Sequence, residues 1–427
     1  MKKLMFNKVD EAIYHEKLDC GVNVYLYPKT NTKNFYITIF VNYGARNMKY
    51  SLNNKEYDVI PGSAHFLEHK VMAISENEEI SRRINSFGSS ANAWTDHDGT
   101  NYNIFGSVDP IGNLELLLDI FYNTKITEKN VEEEKGIIGE EIDLYKDQIE
   151  DYMYDRLFKN VFHESYMKHD IAGERSDIEK ITAKSLNKIY DDYYIPNNTY
   201  ITMSGNFDKD EAIKFIRNYI GKLNLKPKEL PKRIIVPEKN SVVKEYDEIQ
   251  KDMEDVRVKI AYKMPRKNFD IEDNNILRFY IGIVLSTNMS PTSKLFEKYK
   301  KEDIVSSMGY NVYIIDDYVV IVLNGLCIDG DKFIKNIQKD IKKLTIDKDN
   351  FERKKKLGLK TFILDFENIE SVEYNICIST VYADKIDFDE YYHIDEMTYE
   401  KCKEIMNSIT YDNVSIIRTI KWFIVSF

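Results

Sequence analysis

The sequence predicts a protein of mixed strands and helices, organised as two similar halves. Both halves of the 427-residue chain alternate short β-branched or aromatic runs with longer helical patterns. A stretch with three prolines among many lysines separates the halves, as is typical of a linker. A similar phrase recurs near the end of each half, in 181–202 and 397–417, which indicates an internal duplication. We expect an N-terminal domain over 1–222, a linker over 223–245 and a homologous C-terminal domain over 246–427.

The first half begins with strand-like runs. Alternating or β-branched residues predict two strands, and Pro61 and Gly62 then interrupt the pattern. Ser63 is the predicted N-cap of the helix that follows. The predicted strands are 22–27, 36–43, 89–95, 101–108 and 199–205, and the further helices are 78–87, 111–123, 128–148, 152–161, 183–193 and 209–220.

The second half repeats this alternation. Its periodicity predicts three strands and four helices, and the apolar tail 422–427 is predicted to be a final strand or a docked terminus. The strands are 256–264, 308–314 and 318–323, and the helices are 271–285, 294–301, 331–344 and 350–367.

Composition excludes several classes of protein. The formal charge of −11 disfavours nucleic acid and anionic membranes as partners. No run reaches the roughly 20 apolar residues of a membrane span. The N-terminus lacks the apolar segment of a signal peptide, so we expect a cytoplasmic protein. The four cysteines are scattered, which predicts free thiols and neither a disulfide framework nor a cysteine-ligated metal.

One pentad carries the chemistry of the first half. His65-Phe66-Leu67-Glu68-His69 has the pattern H-x-x-E-H, and positions i, i+3 and i+4 share one face of a helix. His65 and His69 can therefore bind one metal ion, with Glu68 beside them to take a proton from water at the metal. These residue types are the minimum needed to hydrolyse a peptide bond.

A third metal ligand is expected from another element. Catalytic zinc usually takes three protein ligands and a water. Glu134 and Glu141 are two helical turns apart and share one face. One could bind the metal while the other supports a histidine ligand, although acidic helices usually face solvent. The acidic residues of this helix are Glu132, Glu133, Glu134, Glu140, Glu141 and Asp143.

These motifs resemble those of the pitrilysin/insulinase family of zinc metallopeptidases. The stretch 62–69 resembles the family's inverzincin signature, and 134–141 resembles its second motif, a glutamate pair seven apart. The phrase 88–95, followed by 100–102, resembles the family's edge strand. The likeness covers about residues 20–225, and the second half matches mainly in layout. The chain is most similar to short bacterial subunits of processing-peptidase type, which occur in pairs.

The resemblance implies a fold and a mode of peptide binding. The fold would be α+β, with two homologous halves that each hold an antiparallel sheet flanked by helices, together forming half of a clamshell. A peptide substrate would add as a strand to an exposed sheet edge formed by Asn92, Ala93 and Trp94. Such binding uses backbone hydrogen bonds and is therefore loose about sequence.

The resemblance also implies a role for each site residue. His65, His69 and Glu141 would ligate one zinc ion per chain. Glu68 would be the general base and later the proton donor to the leaving amine. Glu134 would orient a ligand histidine. Active members of the family complete the site with an arginine and, seven residues later, a tyrosine that stabilises the oxyanion.

The second half departs from that pattern. Lys300 stands where the arginine would be and Ser307 where the tyrosine would be. Serine is shorter than a phenol, and lysine lacks the planar fork of arginine. We therefore expect a homologous partner subunit to supply the missing pair in a heterodimer, with a homodimer as the alternative.

The functional hypothesis is a zinc-dependent endopeptidase that cleaves small or unfolded peptides, among them precursor or leader peptides. Two alternatives stay open. One is maturation of a ribosomally made modified peptide of the bacteriocin type. The other is a non-catalytic member that binds peptides or scaffolds a complex, against which the intact Glu68 argues.

Overall fold

The computed structural model describes residues 1–6, 9–73, 78–251, 253–383 and 394–420. They form two compact units. The first contains the described residues of 1–146, 169–234 and 363–388, and the second those of 147–168, 235–362 and 389–427. The division at 234/235 falls within the stretch 223–245. The predicted element at 422–427 lies outside the described residues.

The strands of the first unit form two sheets. A seven-stranded sheet has the order β1-β2-β3-β9-β4-β8-β7, and a small sheet has the order β10-β5-β6. Neighbouring strands are antiparallel except β3 and β9. The strands are β1 Lys2–Phe6, β2 Glu11–Lys17, β3 Asn23–Pro28, β4 Phe35–Val41, β5 Lys49–Leu52, β6 Lys55–Asp58, β7 Ser90–Thr95, β8 Thr100–Gly106, β9 Thr199–Gly205 and β10 Lys232–Arg233.

Helices pack on the larger sheet around an apolar core. Phe66, Leu67, Leu117 and Ile138 are completely buried there, which joins the first, third and fourth helices in one cluster. The helices to residue 222 are α1 Ser63–Val71, α2 Glu78–Phe87, α3 Pro110–Tyr122, α4 Glu128–Asp147, α5 Ile149–Val161, α6 Arg175–Ile178, α7 Ala183–Tyr193 and α8 Lys209–Lys222. Of these, α5 belongs to the second unit.

The start of α1 differs from the prediction. Gly62, not Ser63, is the N-cap, with a φ of 83°, so the prediction for Ser63 was wrong. The Ser63 hydroxyl instead donates to the Ile60 carbonyl at 2.7 Å. A Cβ atom at position 62 would lie 2.5 Å from the Ala172 carbonyl oxygen. Both the left-handed backbone and this close approach therefore require glycine at the entry to α1.

The second unit repeats part of this architecture. Its sheet has the order β11-β15-β12-β14-β13, with only the β11–β15 pair parallel. The first sheet contains the same pattern in β3-β9-β4-β8-β7, which supports the predicted duplication. The strands are β11 Tyr246–Gln250, β12 Val256–Pro265, β13 Val305–Ile315, β14 Tyr318–Cys327 and β15 Asn413–Ile420, and the helices from residue 274 are α9 Asn274–Met289, α10 Lys294–Lys301, α11 Gly330–Asp340, α12 Lys348–Asp365, α13 Ile369–Ala383 and α14 Tyr399–Ser408.

The observed class is α+β, as predicted, with sheets that are mainly antiparallel. Helix α13 lies in the first unit, where it packs on β4 and β9. Within the described ranges, no helix is both long and apolar enough to cross a membrane.

Candidate metal centre

Helix α1 brings the two histidines of the pentad together. Their ring centroids are 4.6 Å apart. His65 is 6% exposed, and the neighbouring Phe66 and Leu67 are completely buried in the core. The apolar side of α1 thus holds the helix against the core while the histidine face turns toward α4.

Helix α4 supplies a carboxylate to this face. Ligand atoms of His65, His69 and Glu141 all lie within 4.8 Å of one another. One Glu141 oxygen is 3.2 Å from His69 Nε2, and the other is 3.8 Å from His65 Nε2. Bonds of about 2.0 Å to a tetrahedral zinc ion place neighbouring ligand atoms roughly 3.3 Å apart. The donor set and its spacing therefore fit zinc.

The second glutamate of α4 contacts the opposite side of a histidine ring. Glu134 Oε1 accepts from His69 Nδ1 at 3.0 Å. This leaves Nε2 of the same ring directed at Glu141. Helical spacing alone did not choose between the two glutamates, whereas the family resemblance assigned Glu141 to the metal and Glu134 to a ligand histidine. In the structure the two carboxylates contact different nitrogens of the His69 ring. Carboxylates that hold the second nitrogen of a metal-binding histidine fix its tautomer and orientation.

Glu68 lies beside this group without belonging to it. The carboxyl is 8% exposed. Its Oε2 accepts from the Thr95 hydroxyl, at the end of β7, at 2.6 Å. Burial raises the pKa of Glu68, and the hydrogen bond from Thr95 acts in the opposite direction. A buried carboxylate whose pKa is raised in this way can exchange protons with a water molecule.

The electrostatics of the two histidines differ. Burial, followed by the nearby charge of His69, lowers the pKa of His65 to about 4. Burial also lowers the pKa of His69, but its hydrogen bonds to Glu134 and Glu141 outweigh burial and raise this pKa to about 9. The bond with His69 lowers the pKa of Glu141 to about 2. Burial raises the pKa of Glu134, but hydrogen bonds from His69 and Lys70 outweigh burial and lower this pKa to about 2, so Glu134 and Glu141 are both anionic at neutral pH.

Two contacts were not predicted from the sequence. The Tyr145 hydroxyl donates to Glu141 Oε1, the oxygen on the His65 side. Lys70 Nζ pairs with Glu134 Oε2 at 2.6 Å. Tyr145 follows Glu141 by four residues, and this spacing is a sequence signal that both side chains lie on one helix face. Lys70 has no such signal, because its partner lies on another helix.

The residues expected to bind substrate lie on β7. Asn92, Ala93 and Trp94 pair with residues of β8, and β7 ends the strand order of its sheet. Across the described ranges, no strand pairs with the other edge of β7. The Trp94 ring lies 6.1 Å from that of Tyr374 on α13. The outer edge of β7 therefore has no strand partner within those ranges.

The second unit places the two departing residues at its surface. Lys300 is exposed on α10, and Ser307 is exposed on β13. The hydroxyls of the neighbouring Tyr299 and Tyr310 donate to Asp340 and to the Gly282 carbonyl. These phenols are therefore engaged within their own unit.

Each half of the chain matches a protein-family model. Residues 24–175 match the family model described as insulinase, peptidase family M16. Residues 180–357 match the model described as the peptidase M16 inactive domain. The candidate metal centre lies wholly within the first of these matches.

Two bacterial relatives are named as zinc proteases. The chain is 27% identical to the uncharacterized zinc protease YmfH of Bacillus subtilis, over 98% of this chain and 99% of the relative. It is 28% identical to YmxG, another uncharacterized zinc protease of that organism, over 49% of this chain and 50% of the relative.

The fold is shared with crystal structures at lower identity. A structure from Alicyclobacillus acidocaldarius, described as an M16-like peptidase, superposes with a TM-score of 0.88 at 23% identity, covering 96% of this chain and 98% of that one. A protease from Helicobacter pylori superposes at 0.78 with 19% identity, covering 96% and 100%. With its two halves matching the two models of one family, the chain belongs to the insulinase family of peptidases, M16.

Proposed function

We propose that this protein is a zinc-dependent endopeptidase that cleaves small or unfolded peptides. The observation that carries the proposal is Glu68. Its carboxylate is not part of the His–His–Glu group, and the Thr95 hydroxyl holds it beside that group. A metal site that only stabilises the fold would need no additional carboxylate of this kind. The names of the relatives YmfH and YmxG agree with zinc as the metal.

His65, His69 and Glu141 would hold the ion. Zinc, when bound, polarises a peptide carbonyl and makes water more acidic. His69 contributes Nε2 because Glu134 occupies its Nδ1. Glu141 reaches both histidines from α4.

Glu68 would move the protons. It accepts one proton from the attacking water and gives it to the amine that leaves when the peptide C–N bond breaks. Burial favours the protonated carboxyl and so helps Glu68 to retain the proton between these two steps.

The peptide would add to β7 as a strand. The Asp96 N–H donates to the Gly99 carbonyl at 3.0 Å, which makes these two residues a hydrogen-bonded pair at the hairpin end. Bonded and non-bonded pairs alternate along an antiparallel ladder. Ala93, opposite Tyr102, is therefore in a non-bonded pair, and its N–H and C=O point to the open edge. They are free to bind a peptide backbone.

A homologous subunit would complete the site. Neither Lys300 nor Ser307 offers the planar cation or the phenol of an active family member. The proposal is thus a heterodimer in which this chain supplies the metal and general base. The free cysteines fit a reducing compartment, and we propose the cytoplasm.

The test is Glu68→Gln, assayed on unstructured fluorogenic peptides together with the partner homologue. We expect one equivalent of zinc to remain and turnover to fall by about 10²- to 10⁴-fold, the usual contribution of a general base. Glu140→Gln, an exposed position on α4, is the matched control and should keep full turnover.

Two results would contradict the proposal. Turnover retained by Glu68→Gln would remove the assigned base. A wild-type protein without stoichiometric zinc would instead support the peptide-binding or scaffolding alternative. If Glu68→Gln loses turnover as expected, the wild-type protein can be assayed on a modified precursor peptide and on general peptides. The relative rates then test the alternative that the enzyme matures a modified peptide.

A further inference from the structure

We propose that Lys70 is a positioning residue of the metal centre, acting on His69 through Glu134. This inference rests on the metal-binding part of the proposed function. Lys70 follows His69 directly on α1, and its side chain is 0% exposed. A buried ammonium group is unfavourable unless it is paired, so its partners matter to both the fold and the site.

Lys70 and His69 each contact one oxygen of the Glu134 carboxylate. Its Nζ pairs with Oε2 at 2.6 Å, while Oε1 accepts from His69 Nδ1 at 3.0 Å. Each oxygen thus has a donor of its own. The carboxylate cannot rotate without losing one of the two bonds, and Lys70 thereby holds the oxygen that orients His69.

Lys70 also joins the two helices that carry the ligands. Its Nζ donates to the Asn130 carbonyl in the first turn of α4 at 3.1 Å. Two further hydrogen bonds hold that turn. Asn130 Oδ1 accepts from the Thr127 N–H at 2.8 Å, and the Asn130 side-chain amide donates to the Lys125 carbonyl at 2.9 Å. Lys70 therefore helps to set the position of α4, and of Glu141 about three turns further along, relative to α1.

An ion pair made by a buried lysine can also be purely structural, and the chain offers a comparison in Lys135, although its partner Glu132 is 56% exposed. Lys135 Nζ pairs with Glu132 at 2.5 Å and its side chain is 9% exposed. It also donates to the Glu179 carbonyl at 3.1 Å. Like Lys70, it combines a glutamate and a backbone carbonyl, but neither partner belongs to the candidate site.

The experiment compares Lys70→Met, Glu134→Gln, the double variant and Lys135→Met in the full chain. The zinc dissociation constant is measured by chelator competition, the ligand geometry by the visible spectrum of the cobalt-loaded protein, and folding by the melting temperature without metal. Contacts of this kind typically change metal affinity 10- to 100-fold.

We expect Lys70→Met to raise the zinc dissociation constant about tenfold and to shift the cobalt spectrum. The loss of zinc affinity in the double variant should be smaller than the product of the two single losses, because Lys70 acts on His69 through that carboxylate and only its bond to the Asn130 carbonyl is independent of Glu134. Lys135→Met should lower the melting temperature with its zinc affinity unchanged. Lys70→Arg keeps the positive charge and should lie between Lys70→Met and the wild type.

Equal zinc affinity in Lys70→Met and the wild type would overturn the inference, as would losses that multiply in the double variant. If Lys70→Met does not fold, unchanged affinity and spectrum in Lys70→Arg would overturn it equally. These outcomes leave the proposed function intact. A wild-type protein that binds neither zinc nor cobalt would refute the proposed function and this inference together.

Discussion

The two histidines of the pentad are electrostatically unlike. His65 is buried, and within the described structure its Nδ1 atom has no hydrogen-bond partner. His69 lies between two anionic carboxylates. The pKa of His65, lowered to about 4 by burial, leaves that ring neutral at pH 7. Despite burial, hydrogen bonds to Glu134 and Glu141 raise the pKa of His69 to about 9, which leaves that ring positively charged in the metal-free protein. This difference determines how metal uptake depends on pH.

Metal uptake should release a proton from His69. Its pKa of about 9 means that the metal-free ring is protonated at pH 7, and zinc must displace the Nε2 proton. His65, with a pKa of about 4, has no proton to release. Zinc affinity should therefore rise about tenfold per pH unit from 7 to 9 and level off above 9.

Calorimetry in buffers of different ionisation enthalpy measures this release. About one proton per zinc ion is expected at pH 7. Zinc affinity that does not change between pH 7 and 9 would contradict the assignment of His69 as the protonated ring.

Tyr145 orients Glu141 from within its own helix. Its hydroxyl occupies Oε1 and leaves Oε2 toward His69. Tyr145→Phe should therefore raise the zinc dissociation constant about tenfold, as expected for the loss of a partner of a metal ligand. Tyr190→Phe, which loses a phenol bonded to the Phe121 carbonyl, is the control and should not change it. Equal zinc binding in both variants would assign Tyr145 a structural role only.

At the scale of elements, the site depends on one helix pair and one strand. Helix α1 can start where it does because Gly62 accepts a φ of 83°. Helix α4 presents its buried Glu134 and half-buried Glu141 to α1. Strand β7 ends at Thr95, whose hydroxyl holds Glu68. The proposed base is thus linked directly to the strand that would bind the peptide.

Ala93→Pro tests the role of this strand. Because the Ala93 N–H points away from β8, proline removes an edge donor without removing a ladder bond, and edge strands tolerate proline. We expect KM to rise at least about tenfold, because the peptide loses roughly one backbone hydrogen bond and the edge is somewhat distorted. The zinc content should not change. Trp94→Pro, in a bonded pair with Asn101, should instead destabilise the fold. An unchanged KM in Ala93→Pro would contradict binding at this edge.

At the scale of the whole molecule, two units share a strand order but not a site. The pattern β3-β9-β4-β8-β7 recurs as β11-β15-β12-β14-β13. Among the described residues, the only His, Cys, Asp and Glu cluster suited to a metal lies in the first unit. The two units thus share a strand pattern, and within the described part of the chain only the first holds a candidate metal site.

This asymmetry predicts dependence on a partner. The chain alone should bind zinc yet cleave peptides about 10²- to 10³-fold more slowly than a mixture with a homologue bearing the arginine and tyrosine, the usual loss for one oxyanion donor. Turnover measured against partner concentration should saturate at equimolar ratio. Full activity of the chain alone, unaffected by the homologue, would contradict the heterodimer.

Local periodicity was enough for part of the candidate site and most of the elements. The i, i+3, i+4 spacing puts the histidines and Glu68 on α1 by helix geometry alone, and α2 was predicted with its observed bounds. The hairpin of β5 and β6 and the helix α13 were missed. The strands of that hairpin have only four residues each, and α13 has no clear apolar face in its sequence.

The amino-acid sequence by itself determined the family, the α+β class and which residues could meet a metal, because these follow from local spacing and motif. The tertiary structure alone decided the rest. Helical spacing puts Glu134 and Glu141 on the same face and does not distinguish them. Only the packing of α4 against α1 brings Glu134 to Nδ1 and Glu141 to Nε2 of the His69 ring. Lys70 gains its partner in the same way, because contacts between helices depend on distances that no spacing along the chain encodes.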